Sequence, residues 1–107
     1  MTRVKSTRDI LLQVESLEAA VAFYATTLGF EPFLESPAMV GLETGAFRLF
    51  LEQRPALGPV LEVLAGDFED RKSALVAAGC EIIEDDPSVP RCYMRDPFGL
   101  IFNLGKA

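Results

Sequence analysis

The chain has 107 residues, half of them hydrophobic, with sixteen acids against ten bases, a net charge of −6, two cysteines and no histidine. That length supports one domain with its own core but not two independent ones, and the acidic balance argues against a nucleic-acid or anionic-membrane surface, which needs clustered Lys and Arg. No apolar run reaches the roughly 18–20 residues of a membrane span, and the opening MTRVKSTRDI has no signal-length hydrophobic stretch behind it, so a cytoplasmic protein with a neutral or cationic ligand is expected.

A first strand is expected at DILLQV, followed by a helix in SLEAAVAFYATTLG. Ser16 caps it, Glu18 suits the positive end of the dipole and Gly29 ends it, while Leu17, Ala20, Val21, Tyr24 and Leu28 fall on one face at helical spacing. GFEPFLE then reads as a strand, and PAMVGLETGAFRLFLE as two more around a turn at Gly45. The second half opens with the strand GPVLEV and the helix DFEDRKSALVAAG, with Asp67 as cap, Gly79 as stop, and Phe68, Leu75 and Ala78 as a shorter apolar stripe. GCEIIED is the next strand, with Glu84, Asp85 and Asp86 ahead of Pro87 read as a solvated loop. PRCYMRDPFGLIFNLG closes the chain as two strands around a DPFG turn, in which Asp96 has a structural role because Asp, Pro and Gly occupy the positions a type I turn favours. Cys80 and Cys92 sit in apolar strand stretches without a CxxC spacing and read as buried thiols.

The halves match. Aligning Val14 with Val63 pairs Leu12 with Leu61 and Gln13 with Glu62, and Gly45 and Gly99 fall at equivalent turns, so each half reads β-α-β-β-β. The expected organisation is one α+β domain of two such modules, approximately residues 1–54 and 55–107, because one half alone cannot bury both helix and sheet.

The Leu-rich first strand, the helix and exit SLEAAVAFYATTLGF and the carboxy-terminal RDPFGLIFNL resemble the vicinal oxygen chelate superfamily, which includes glyoxalase I, bleomycin-resistance proteins and extradiol dioxygenases. The likeness spans nearly the whole chain. It implies two βαβββ modules whose strands curl into a cup-shaped mixed sheet with helices outside, completed by dimerisation, with a small-molecule site on the concave face. Enzymes of this superfamily hold a divalent metal by four side chains, and the resemblance carries those positions onto Asp9, Leu49, Gly58 and Asn103. Leu49 and Gly58 offer no donor and Asn103 replaces a carboxylate by an amide, so neither a metal nor another cofactor is expected. Glu52, three residues from Leu49, is expected on the opposite strand face and is discounted as a substitute.

Strand alternation then gives the expected lining of the cup: Asp9, Leu11 and Gln13; Phe47, Leu49 and Leu51; Val60 and Glu62; Ile101 and Asn103. The other face, with Ile10, Leu12, Val14, Leu61, Val63, Phe102 and Leu104, packs under the helices. This phase leaves Arg48 on the helix side, where a guanidinium does not belong. Gln13 and Glu62 suit ligand binding, a solvated face or a dimer contact equally, and Asn103 suits a hydrogen bond to a neighbour better than direct ligand contact. Tyr93 and Arg95 alternate toward the cup mouth.

Catalytic motifs are absent: there is no histidine, no Gly-x-Ser-x-Gly elbow and no phosphate-binding glycine loop, and Cys80 lacks an imidazole partner. Glu62 as a buried general base lacks a second catalytic group. The expected function is therefore metal-free binding of a small aromatic or cationic molecule by a homodimer of the bleomycin-resistance type. The alternative is a glyoxalase- or dioxygenase-type lyase, isomerase or oxygenase with atypical ligands. The homodimer expectation rests on an apolar patch of Phe47, Leu49, Leu51 and Ile101.

Overall fold

The structure is a computed structural model that describes residues 3–107, so Met1 and Thr2 of the amino-terminal segment lie outside the described residues. Among the described residues, no helix is long and apolar enough to cross a membrane. The fold is α+β and repeats the order βαβββ: β1 (Lys5–Val14), α1 (Leu17–Val21) with a π-helical continuation (Ala22–Thr27), β2 (Glu31–Glu35), β3 (Met39–Glu43) and β4 (Arg48–Gln53), then β5 (Leu57–Ala65), α2 (Phe68–Ala77), β6 (Glu81–Asp86), β7 (Arg91–Arg95) and β8 (Ile101–Lys106). Arg8–Pro59 forms one compact unit, and Val60–Ala107, with the chain up to Thr7, the other.

In the amino-terminal unit the strand order is β2-β3-β4-β1, with β1 parallel to β4 and the other pairs antiparallel. The helix begins as its sequence dictates, with Ser16 Oγ accepting from the Ala19 amide at 3.2 Å and Gln53 Oε1 accepting from the Leu17 amide at 3.1 Å. From Ala22 it widens to the π form, and the Leu28 amide donates back to Phe23 O at 2.8 Å. The wider turn rotates later positions off the 3.6-residue face, so Ala25 packs inward and Leu28, expected in the apolar stripe, stands 54% exposed. Gly29 ends the helix at φ +100°, where a Cβ is strained.

The β1–β4 register corrects the expected phase of the fourth strand. Ile10 lies opposite Leu49 and Leu12 opposite Leu51, and these residues pack with Leu17, Val40 and Leu42 under the helix, with Phe47 against the same cluster. Phe47, Leu49 and Leu51 are thus core residues, not cup lining, and the apolar patch behind the dimer expectation loses three of its four members. Arg48, Phe50 and Glu52 instead share the face of Asp9, Leu11 and Gln13, which removes the misplaced guanidinium and puts the discounted Glu52 on the Asp9 side. The cause is the turn. Residues 46 and 47 separate Gly45 from β4, whereas Leu100 alone separates Gly99 from β8, so aligning the two turn glycines slips the alternation by one residue.

In the carboxy-terminal unit the order is β5-β8-β7-β6, with β5 parallel to β8. The expected phase holds here: Val60 and Glu62 lie opposite Ile101 and Asn103, while Leu61, Val63, Phe102 and Leu104 face the helix and pack with Ala65, Cys80, Cys92, Met94, Phe68 and Leu75. Ala78 is exposed and contributes nothing to the stripe. Asp67 stands at the helix start without capping it, because its carboxylate pairs with Arg71 at 3.3 Å. Glu84, Asp85 and Asp86 belong to strand β6 rather than a loop. Asp96 has the expected turn role: its Oδ1 accepts from the Phe98 and Leu100 amides at 2.9 Å each.

Leu51 is fully buried, so Leu51→Ala is expected to destabilise the protein by about 2–5 kcal/mol in urea unfolding. A cost below about 1 kcal/mol would place Leu51 on an open face after all.

Candidate functional site

The carboxy-terminal unit contains a concavity of about 660 Å³, a size that suits a small organic molecule. Its walls come from the middle of β5 (Glu62, Leu64), the first turns of α2 (Phe68, Glu69, Lys72), the end of β8 (Asn103 to Lys106), and the β6–β7 connection (Asp85, Pro87, Pro90, Arg91, Cys92). Apolar contact is offered by Leu64, Phe68, Leu104 and the two prolines. The charges are balanced: Glu62, Glu69 and Asp85 against Lys72, Arg91 and Lys106. Lys72 and Asp85 neutralise each other at 2.6 Å, and that hydrogen bond holds the Lys72 ammonium above its ordinary pKa. The Lys106 ammonium lies 5.4 Å from the centre of the Phe68 ring and the Arg91 guanidinium 5.4 Å from that of Tyr93.

The pocket exists because a ladder stops. β7 and β8 pair through Tyr93–Asn103, Met94–Phe102 and Arg95–Ile101, and beyond that point the Cys92 amide donates to Asn103 Oδ1 at 2.8 Å. A backbone N–H can only donate, so the Asn103 oxygen must face Cys92, and its Nδ2 is left as a donor with no acceptor among the described residues. Val or Ile at 103 would leave the buried Cys92 amide unsatisfied, which explains the amide in an apolar run. Beside it on β5, Glu62 makes no hydrogen bond or ion pair among the described residues.

The other unit supplies an internal control. Gln13 corresponds to Glu62, and its partner across the parallel ladder is Glu52. There too an amide meets a carboxylate, but Gln13 is 5% exposed and its Nε2 donates to Glu52 Oε1 at 3.4 Å. One pair is closed on itself. The other keeps an acceptor and a donor for something else.

Of the residues expected to line a site, Glu62 and Asn103 meet at this pocket. Val60 and Ile101 share their sheet face without lining it, and Asp9, Leu11 and Gln13 lie on the face of the amino-terminal sheet away from its helix. That face also carries an assembly the sequence reading missed. Arg48 grips Asp9 through two hydrogen bonds of 2.6 and 2.7 Å and sits 5.4 Å from the centres of both the Phe33 and Phe50 rings. Phe33 reaches there because β2 bulges at that residue and Gly41 leaves room, since a Cβ on Gly41 would lie 2.7 Å from the ring. The signal was Arg48 itself, an arginine in an apolar phase.

The four positions that the resemblance assigns to a metal do not fit one. Asp9 is held by Arg48, Leu49 is in the core, and Asn103 Oδ1 is occupied by the Cys92 amide. Gly58 has a backbone reason: its φ is +123° and a Cβ would lie 3.0 Å from Leu11 O. Among the described residues, no three His, Cys, Asp or Glu side chains cluster as a metal set.

No family model matches the chain, and no curated protein matches it in sequence. Solved structures match it in fold. The hypothetical protein BH1468 from Bacillus halodurans C-125 is 16% identical over 99% of this chain and 96% of its own, with a TM-score of 0.63. A glyoxalase/bleomycin resistance protein/dioxygenase superfamily member from Vibrio splendidus 12B01 is 19% identical over 98% of both chains, with a TM-score of 0.61. The Mn(II)-bound glyoxalase from Novosphingobium aromaticivorans is 21% identical, with a TM-score of 0.64, and this chain covers 40% of it at 99% of its own length. The chain has the vicinal oxygen chelate fold.

Asn103→Leu is expected to cost about 1–3 kcal/mol in urea unfolding and to speed hydrogen exchange at the Cys92 amide, because a buried donor loses its acceptor. Unchanged stability and exchange would show that the bond holds nothing. Burial pushes both the Cys80 and the Cys92 thiol up, with the Asp96 and Asp85 carboxylates respectively adding to it, so the reactive thiolate is scarce in the folded protein. A thiol reagent at mildly alkaline pH is expected to label neither cysteine until the protein unfolds; rapid labelling of native Cys92 would contradict its burial.

Proposed function

We propose that this protein binds a small molecule, without a metal, in the pocket at the end of the β7–β8 ladder, as bleomycin-resistance proteins do. The observation that carries this reading is the uncommitted Glu62 carboxylate beside the free Asn103 Nδ2 in a pocket that also offers Leu64, Phe68, Leu104 and two prolines. Apolar and aromatic surface supplies affinity, and a few polar groups supply orientation. Glu62 accepts from an amine or amidine, Asn103 donates to a neighbouring oxygen, and Phe68 offers a ring face. The ligand class is thus aromatic or cationic, in keeping with the acidic balance of the chain. A glyoxalase- or dioxygenase-type reaction is the second reading, and the names of the structural neighbours favour it. The donor positions argue against its metal-dependent form.

The experiment is a thermal-shift screen of antibiotics and cell metabolites, in which a ligand at a hundred times its dissociation constant adds about 2.7 kcal/mol. Hits are expected to be cationic or aromatic. Glu62→Gln is expected to weaken cationic hits and to reduce their salt dependence, while Glu52→Gln leaves them unchanged. Cationic hits insensitive to Glu62→Gln would remove the pocket from the account. Tight stoichiometric uptake of nickel, zinc, iron or manganese by the purified protein would revive the enzyme reading.

A further inference from the structure

The β7–β8 hairpin is zipped at one end and open at the other. The Asp96 amide donates to Leu100 O at 2.9 Å, which sets the hydrogen-bonded rungs of this antiparallel ladder: Asp96 with Leu100, Met94 with Phe102, then Cys92 with Leu104 and Pro90 with Lys106. The residues of β8 between these turn their main-chain groups toward β5, as the Ala107 amide does in donating to Ala65 O at 3.1 Å. Both donors that would carry the ladder past Tyr93 are withdrawn. The Cys92 amide goes to Asn103 Oδ1 rather than to Leu104 O, and Pro90 has no N–H to give Lys106 O. β8 nevertheless runs on along β5 to Lys106. The other module leaves no such edge, since the Gln53 amide donates to Ala38 O at 3.1 Å and β4 ends at Gln53. The pocket occupies the gap, with Pro90, Arg91 and Cys92 on one side and Asn103 to Lys106 on the other. It is lined from both faces of the sheet, by Glu62 and Leu64 on one and by Phe68 and Leu104 on the other, which only an interrupted sheet allows.

We infer that the pocket takes a short extended peptide segment, which adds to the open edge of β8. Two of its main-chain N–H groups donate to Leu104 O and Lys106 O, about 7 Å apart along the strand, and one of its carbonyls accepts from the Lys106 amide, which faces the same gap. An extended peptide presents alternate N–H groups to one side at that spacing and sends successive side chains to the two faces of the sheet, where this cavity has walls. The side chain opposite Gly105 points to the face of Asn103 and Glu62, so a basic residue suits that position, while its neighbours point to the face of Phe68 and Leu104. This rests on the small-molecule reading above and names its ligand class.

Calorimetric titration of the intact protein with N-acetyl-Ala-Lys-Ala amide tests this, set against the same peptide methylated on both alanine nitrogens, the same peptide methylated on the lysine backbone nitrogen, and n-butylamine. The parent peptide is expected to bind more tightly than butylamine, to lose about tenfold or more on methylation of the alanine nitrogens, and to lose less than about twofold on methylation of the lysine nitrogen. Lys106→Pro removes the edge donor without touching the β5 ladder, and is expected to bind the peptide about fivefold more weakly than Lys106→Ala. If the peptide binds no better than butylamine, if the position of the methyl groups makes no difference, or if Lys106→Pro and Lys106→Ala bind it equally, the peptide inference is overturned while the small-molecule reading stands. A dimer that is broken by Lys106→Pro and does not take up the peptide would assign the edge to a second copy of the chain and overturn it as well. If neither the peptide nor any compound of the thermal-shift screen binds, both fall.

Discussion

The hydrogen bond from the Cys92 amide to Asn103 Oδ1 is the constraint on which the pocket depends. It allows the β7–β8 ladder to end at Tyr93 without leaving the buried strand start of β7 unsatisfied, and so lets the chain turn away through Pro90 and Pro87. The same bond fixes which end of the Asn103 amide faces solvent. A polar residue in an apolar strand is costly unless every group on it is answered, and here the oxygen is answered by backbone while the nitrogen is not. The structural and the functional roles of Asn103 are therefore one arrangement seen from two sides.

The comparison between the two modules gives that arrangement its meaning. Both place an amide and a carboxylate opposite each other in the parallel ladder, Gln13 with Glu52 and Asn103 with Glu62. In the first module the two groups satisfy each other and Gln13 is buried. In the second, Asn103 is drawn toward Cys92, and Glu62 keeps its carboxylate for other partners. The amino-terminal copy has a different polar cluster, with Arg48 held by Asp9 and flanked by Phe33 and Phe50, on the sheet face away from the helix.

Much of this was legible in the sequence, for identifiable reasons. The β-α-β-β-β repeat was visible because a stop glycine, Gly29 or Gly79, ends each helix just before a strand. The facing of the second module was right because β5 and β8 alternate cleanly. The first module misled by one residue: two residues follow Gly45 before β4 but only one follows Gly99 before β8, and a glycine-to-glycine alignment carries that difference into every side chain of β4. Leu49 and Leu51 suit either face of a half-buried strand, so only Arg48 disagreed, and its partner Asp9 lies thirty-nine residues away. The pocket itself was not legible, because Phe68 read as helix core and only tertiary packing makes it line a cavity that Glu62 and Asn103 also line.

The central claim is that the Glu62–Asn103 pair is the ligand-facing one and the Gln13–Glu52 pair is not. Two-dimensional nitrogen–proton spectra recorded while a cationic aromatic compound is titrated into the protein read this directly, because both side-chain amides and the Cys92 backbone amide give separate signals. The account predicts that the Asn103 side-chain and Cys92 backbone signals move together along one saturating curve while the Gln13 signals stay in place. Movement of Gln13 with Asn103 and Cys92 unmoved would contradict it.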